Sequence, residues 1–115
     1  MRQVSENQGA IFYGSAPEIV PQCEIKPLGL VNLAGEAVPA HSGEYIRPEQ
    51  CPEARNQLNL EGFRSGDYPL TRGLYVVSKE SERAGRRAAI AYADLLATGE
   101  GQRLLQELGF IAVQN

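Results

Sequence analysis

The last third of the chain sets the strongest demand on any fold. Tyr68-Pro69-Leu70-Thr71-Arg72-Gly73-Leu74-Tyr75-Val76-Val77 is a β-branched and aromatic run that reads as a strand. It leads into an amphipathic helix, a Thr98-Gly99-Glu100-Gly101 turn, a second short helix stopped by Gly109, and a closing apolar strand or tail, Phe110-Ile111-Ala112-Val113. Each element has an apolar face that needs a sheet behind it, so the chain reads as the end of a larger α/β protein.

The helix signal is a stripe. Ala84, Ala88, Ala91, Tyr92, Leu95 and Leu96 recur at helical spacing, with Ser81 as the expected N-cap and Glu82 just after it. Arg83, Arg86 and Arg87 fall largely off that stripe and read as a solvated face. Thr98 is placed to cap the following helix, with Glu100 in its first turn, and Leu104, Leu105 and Leu108 form the apolar face. Gly109 suits a left-handed C′ position, with Phe110 folding back on the preceding turn.

Further upstream, Gly9-Ala10-Ile11-Phe12-Tyr13 reads as a buried strand of a parallel sheet. Ser15 precedes Pro17-Glu18-Ile19-Val20, which favours one helical turn ended by Pro21. A second strand is expected over Glu24 to Val31, with Pro27 pushing it to an edge or into a bulge. Residues 32–66 carry scattered prolines and glycines and little periodicity. They read as an irregular insertion with local turns and one short helix near Pro52 to Leu58.

At 115 residues and 43% hydrophobic content, one small domain is the ceiling. The net charge of −3 argues against nucleic acid or an anionic membrane as the main partner, since both favour a basic excess. Residues 1–60 carry 4 basic and 7 acidic side chains and residues 61–115 carry 7 of each, so no charged tail stands out. No run reaches the roughly 18 apolar residues of a membrane helix, and residues 1–7 lack the apolar core of a secretory signal.

Cys23 and Cys51 are the two cysteines, with 27 residues between them. They either close a disulfide that staples the insertion to the first half of the chain, or remain two thiols; an exported parent permits the disulfide. Neither has a second Cys or His at chelating spacing, and no metal or cofactor is expected. Catalysis is not expected either, because no nucleophile pairs with a base and no phosphate loop is present. His41 beside Ser42 reads as a loop histidine, and Glu80 with Glu82 as a charged helix start.

Three blocks carry a resemblance: Gly9-Ala10-Ile11-Phe12-Tyr13-Gly14-Ser15-Ala16, Tyr68-Pro69-Leu70-Thr71-Arg72-Gly73-Leu74-Tyr75, and Ala91-Tyr92-Ala93-Asp94-Leu95-Leu96-Ala97-Thr98-Gly99-Glu100-Gly101-Gln102 with Gly109-Phe110-Ile111. In this order they resemble the C-terminal portion of the phosphate-binding proteins of ABC importers. The first block also resembles a segment of molybdate-binding proteins, which share the type II periplasmic-binding-protein fold.

The resemblance implies a two-lobed α/β parent outside the cytoplasmic membrane. Such a parent closes over a phosphate-like tetrahedral oxyanion and delivers it to a membrane permease. Most anion contacts in that family come from Ser, Thr and Gly at helix N-termini. No Ser-Gly-Thr or Gly-Ser-Thr run occurs here, so most of the site is expected to lie elsewhere in the parent.

Tyr13 matches the tyrosine that points at the oxyanion in molybdate-binding relatives; in phosphate-binding relatives the position packs at the hinge. Phe12 departs from the glycine many relatives carry. Arg72 has the fork for a bidentate oxyanion contact, and also for a salt link at the surface or between lobes. Ser15 serves either as an anion contact or as a plain cap. The rival reading is a degenerate interaction or sensing module with no ligand of its own. The exposed apolar faces of a lone lobe predict a homodimer.

Overall fold

The computed structural model describes residues 2–112. It divides into two compact units, Met1–Thr71 and Arg72–Asn115, and each is described by itself. The described residues combine helices with small antiparallel sheets.

The first unit opens with α1 (Arg2–Glu6) and α2 (Ala16–Ile19) and then forms two minimal ladders. Strands β1 (Leu30–Val31) and β2 (Ala37–Val38) pair antiparallel, with Leu30 opposite Val38 and Val31 opposite Ala37. Asn32 builds their turn: its Oδ1 accepts from the N–H groups of Ala34 and Glu36, both at 2.9 Å. Gly35 takes the left-handed φ of 81° that closes the loop. Strands β3 (His41–Ser42) and β4 (Gln57–Leu58) pair likewise, His41 opposite Leu58 and Ser42 opposite Gln57.

A 3-10 turn at Pro48–Gln50 lies between β3 and β4, and α3 (Leu60–Ser65) follows β4. Asn59 caps α3 by accepting from Gly62 N–H at 3.0 Å, while its Nδ2 donates to Pro39 O at 2.9 Å. One amide thus starts the helix and ties it to the end of β2. Gly66 ends α3 at φ 84°, and Tyr68 N–H returns to Gly62 O at 3.0 Å.

The core of this unit is thin: Val20 and Ala40 are its buried hydrophobic residues and Asn56 is buried with them. Asn56 replaces a missing strand, since its Oδ1 accepts from Ile46 N–H at 2.8 Å and its Nδ2 donates to Ile46 O at 3.2 Å. Asn56→Ala removes both bonds and strands a half-buried amide. We expect a loss of about 2–3 kcal/mol, read from the urea midpoint of the first unit.

The second unit is a helical corner of α4 (Arg83–Ala97) and α5 (Gly99–Glu107). Thr98 is the last cap of α4 and the first of α5: its hydroxyl donates to Leu95 O at 2.6 Å and accepts from Gly101 N–H at 3.1 Å. Gly109 has φ 87°, its N–H reaches Gln106 O at 2.9 Å, and Phe110 N–H reaches Leu105 O at 3.0 Å. Those two bonds are the paired closure of a left-handed helix end. The expected caps at Thr98 and Gly109 and the two C-terminal helices stand as read; α4, however, is capped at Glu82 rather than Ser81.

The β expectations differ. Residues 9–13 form no strand, and Ile11 and Tyr13 are largely exposed rather than buried. Of Glu24 to Val31, Leu30–Val31 alone is a strand. Residues 70–78 form no ladder, nor do residues 110–112, and Val113 lies outside the described residues. The pairing that does form is antiparallel, not parallel. Apolar alternation creates a strand only where another strand takes up its N–H and C=O groups, and the described residues offer these segments none.

Residues 32–66 hold β2, β3, β4 and α3, so most of the β pairing falls there. The short helix lies at Leu60–Ser65, where Asn59 supplies a cap, and not at Pro52 to Leu58.

Candidate functional site

Tyr13 and Ser15 flank Gly14 just ahead of α2, while Arg72 opens the second unit. Tyr13 is 71% exposed, with its ring turned to solvent. A Cβ at Gly14 would sit 2.9 Å from Ile19 Cδ1 and 3.0 Å from Phe12 Cε1, so the backbone here passes tightly between two apolar side chains. Phe12 and Ile19 together crowd it.

Ser15 occupies the N-cap of α2 at φ −68° and ψ 127°, yet its hydroxyl makes no capping bond. Its carbonyl instead accepts from Glu18 N–H at 3.0 Å and Ile19 N–H at 3.1 Å. With four residues, α2 has too few aligned peptides to concentrate positive potential for an anion. The arrangement leaves one phenol and one hydroxyl as neutral donors on the same short stretch. Arg72 is exposed, and among the described residues its guanidinium has no ion pair or hydrogen bond.

Cys23 and Cys51 are joined in a disulfide, with Cα atoms 5.7 Å apart. Beside it lies an open groove of about 500 Å³ lined by Arg2, Ser5, Glu6, Gln22, Glu24 and Arg55. Both arginines are engaged: Arg2 Nε pairs with Glu6 at 3.1 Å and Arg55 Nη1 donates to Pro21 O at 3.0 Å. With Glu6 and Glu24 beside them, the groove offers an anion no net positive field. A second groove, along Glu36, Glu61 and Asp67, is acidic. No group of three or more His, Cys, Asp or Glu among the described residues could hold a metal ion, and no helix among them is long and apolar enough to cross a membrane.

His41 lies on β3 with its ring 5.7 Å from that of Tyr45. Its Nδ1 is buried without a hydrogen-bond partner among the described residues.

Sequence reasoning missed Tyr68 as more than a strand residue. Its ring meets Phe63 edge-on at 5.1 Å and its hydroxyl donates to Leu28 O at 3.3 Å, fastening α3 to the chain before β1. Burial raises its pKa above the ordinary value of 10.0. For an acid raised on folding, the neutral form belongs to the native state. The stabilisation is full below the unfolded value and is lost as pH rises through the folded one. We therefore expect the melting temperature of the first unit to fall above about pH 10, and Tyr68→Phe to flatten that fall.

Comparison with known proteins found no family model, no curated protein and no solved structure that matches this chain.

Proposed function

We propose that the chain is the C-terminal portion of a phosphate-type solute-binding protein, with its parent folded as a type II periplasmic-binding protein. The parent serves oxyanion uptake outside the cytoplasmic membrane and docks on the permease of an ABC importer. The observation that supports this reading is the order of three blocks, residues 9–16, 68–75 and 91–111, the last of them built around Thr98 and Gly109. The exposed apolar runs agree with it, since Ile11, Tyr13, Leu74, Tyr75 and Val77 have the make-up of sheet strands and lack a sheet. The function is binding, with no reaction catalysed.

Within this chain Tyr13 and Ser15 are the oxyanion contacts of the first unit, through neutral hydroxyl donors, and Arg72 is a charged contact of the second. Nuclear magnetic resonance of the labelled, oxidised chain during phosphate addition tests the assignment. The amides of Tyr13, Gly14 and Ser15 are expected to shift, and Tyr13→Phe to reduce the response. Shifts confined to other residues would refute it.

A second reading, an interaction or sensing module without a ligand, is favoured by one feature. The lone N-terminus near Ser15 belongs to a four-residue helix, and no Ser/Thr anion loop accompanies it.

A further inference from the structure

Helix α4 carries an apolar face that its own unit leaves bare. Ala89, Ala93 and Leu96 are half-buried on the side where α5 leaves the corner, and Gln102 Nε2 donates to Leu96 O at 2.7 Å. About a third of a turn away, Ala84, Ala88, Ala91 and Leu95 form a row at spacings of 4, 3 and 4, and all four are exposed, Leu95 at 62%. Tyr92, 56% exposed, borders the row on one side, and Arg87 and Asp94 border it on the other. The second unit holds no strand among its described residues, so no sheet covers this face.

Charge selects what covers it. Arg87 and Asp94 are seven residues apart, so they occupy equivalent places on the helix surface with opposite signs. Among the described residues, neither has an ion pair within its own chain. Such an edge is complementary to itself turned end for end.

We propose that α4 docks antiparallel on α4 of a second copy of this chain. One two-fold axis then sets Ala88 opposite Ala91 at the centre, Ala84 opposite Leu95 further out, and Arg87 of each copy beside Asp94 of the other. Alanine at three of the four seam positions lets the two backbones come close, and each Leu95 fills the space that an Ala84 leaves. Two ion pairs close one edge of the seam.

The other arrangements are poorer. Sliding one helix by a heptad sets Arg87 against Arg87 in one direction and Asp94 against Asp94 in the other, two like charges in either case. A parallel pair faces Arg87 with Tyr92, matches no opposite charges and aligns the two helix dipoles. The antiparallel pair sets those dipoles head to tail. The docking does not depend on which ligand the parent takes, and it uses none of the residues assigned to the oxyanion.

Sedimentation velocity of the oxidised chain over a dilution series tests the proposal. The seam is short, so the wild-type chain is expected to form a weak dimer, half dissociated at about 0.1 mM. Arg87→Asp and Asp94→Arg are each expected to weaken it about tenfold, since each turns two attractions into two repulsions. Mixing the two variants restores association, because each offers the charges that the other lacks. Ala88→Glu abolishes it by placing two carboxylates beside the axis. Circular dichroism checks that α4 and α5 persist in every variant. Single reversals without effect, or a mixture no better than its components, would overturn the register. A wild-type chain that stays monomeric at millimolar concentration, or an Ala88→Glu chain that associates as the wild type does, would overturn the proposal and give the face to another occupant.

Discussion

Removing the Cys23–Cys51 disulfide is expected to destabilise the first unit by about 3–4 kcal/mol, through the conformational freedom returned to the unfolded chain. The two cysteines are 28 residues apart in sequence, a loop long enough for that effect to be large. The native side has little to set against it. Val20 and Ala40 are the buried hydrophobic residues, and both ladders are two residues long. Whole domains are stable by only about 5–15 kcal/mol, so reduction takes a large fraction of what this unit has.

Hydrogen exchange distinguishes a local from a general effect. On reduction, or in the Cys23→Ala/Cys51→Ala chain, protection is expected to collapse around Ile46, Asn56 and Gly62 while the amides of α4 and α5 keep theirs. A urea midpoint unchanged by reduction would mean that the core and the Asn56 clamp suffice without the crosslink.

Gly101→Ala is expected to be the most damaging single change in the second unit. Gly101 is buried where α5 leaves the corner, and a Cβ there would lie 2.7 Å from Leu96 O and 2.8 Å from Leu96 Cα. Those are backbone atoms, which no rotamer change can move aside. The corner would have to open, breaking the Thr98 hydroxyl bonds to Leu95 O and Gly101 N–H.

Overpacking of this kind costs about 1–3 kcal/mol, and loss of the cap adds about 1 kcal/mol. Far-UV circular dichroism should show α5 helicity lost at temperatures where the wild-type corner is intact. Gly99, which has nothing within 4 Å of a built Cβ, is the control: Gly99→Ala should leave the corner in place.

The contrast between the two ends of the chain explains what could be read from residues alone. Thr98, Gly109 and the leucine stripe of α5 act within a few residues of themselves, so their pattern and their structure coincide. A strand is different. Ile11-Phe12-Tyr13 and Leu74-Tyr75-Val76-Val77 have strand composition, but a ladder exists only when a second segment faces it.

Asn59 was open to discovery, since an Asn followed by Leu60-Glu61 is a helix-start pattern with an acid in the first turn. Asn56 had no such signal: its work depends on Ile46, ten residues away, reaching the same place. Of the candidate site, the positions of Tyr13 and Ser15 before a short helix were legible. The idle hydroxyl of Ser15 and the paired arginines of the groove were not, because both depend on where neighbouring carbonyls and carboxylates point.

Calorimetric titration of the oxidised chain with phosphate, followed by sulfate and molybdate, tests most directly whether it is one part of an oxyanion-binding protein. A partial site built on Tyr13 and Ser15 predicts weak, saturable phosphate binding in the millimolar range, near −4 kcal/mol, reduced by Tyr13→Phe. Micromolar or tighter binding would show a complete site in this chain and contradict its reading as a portion of one. A folded chain that gives no heat with any of the three would contradict the oxyanion reading and leave the interaction module in its place.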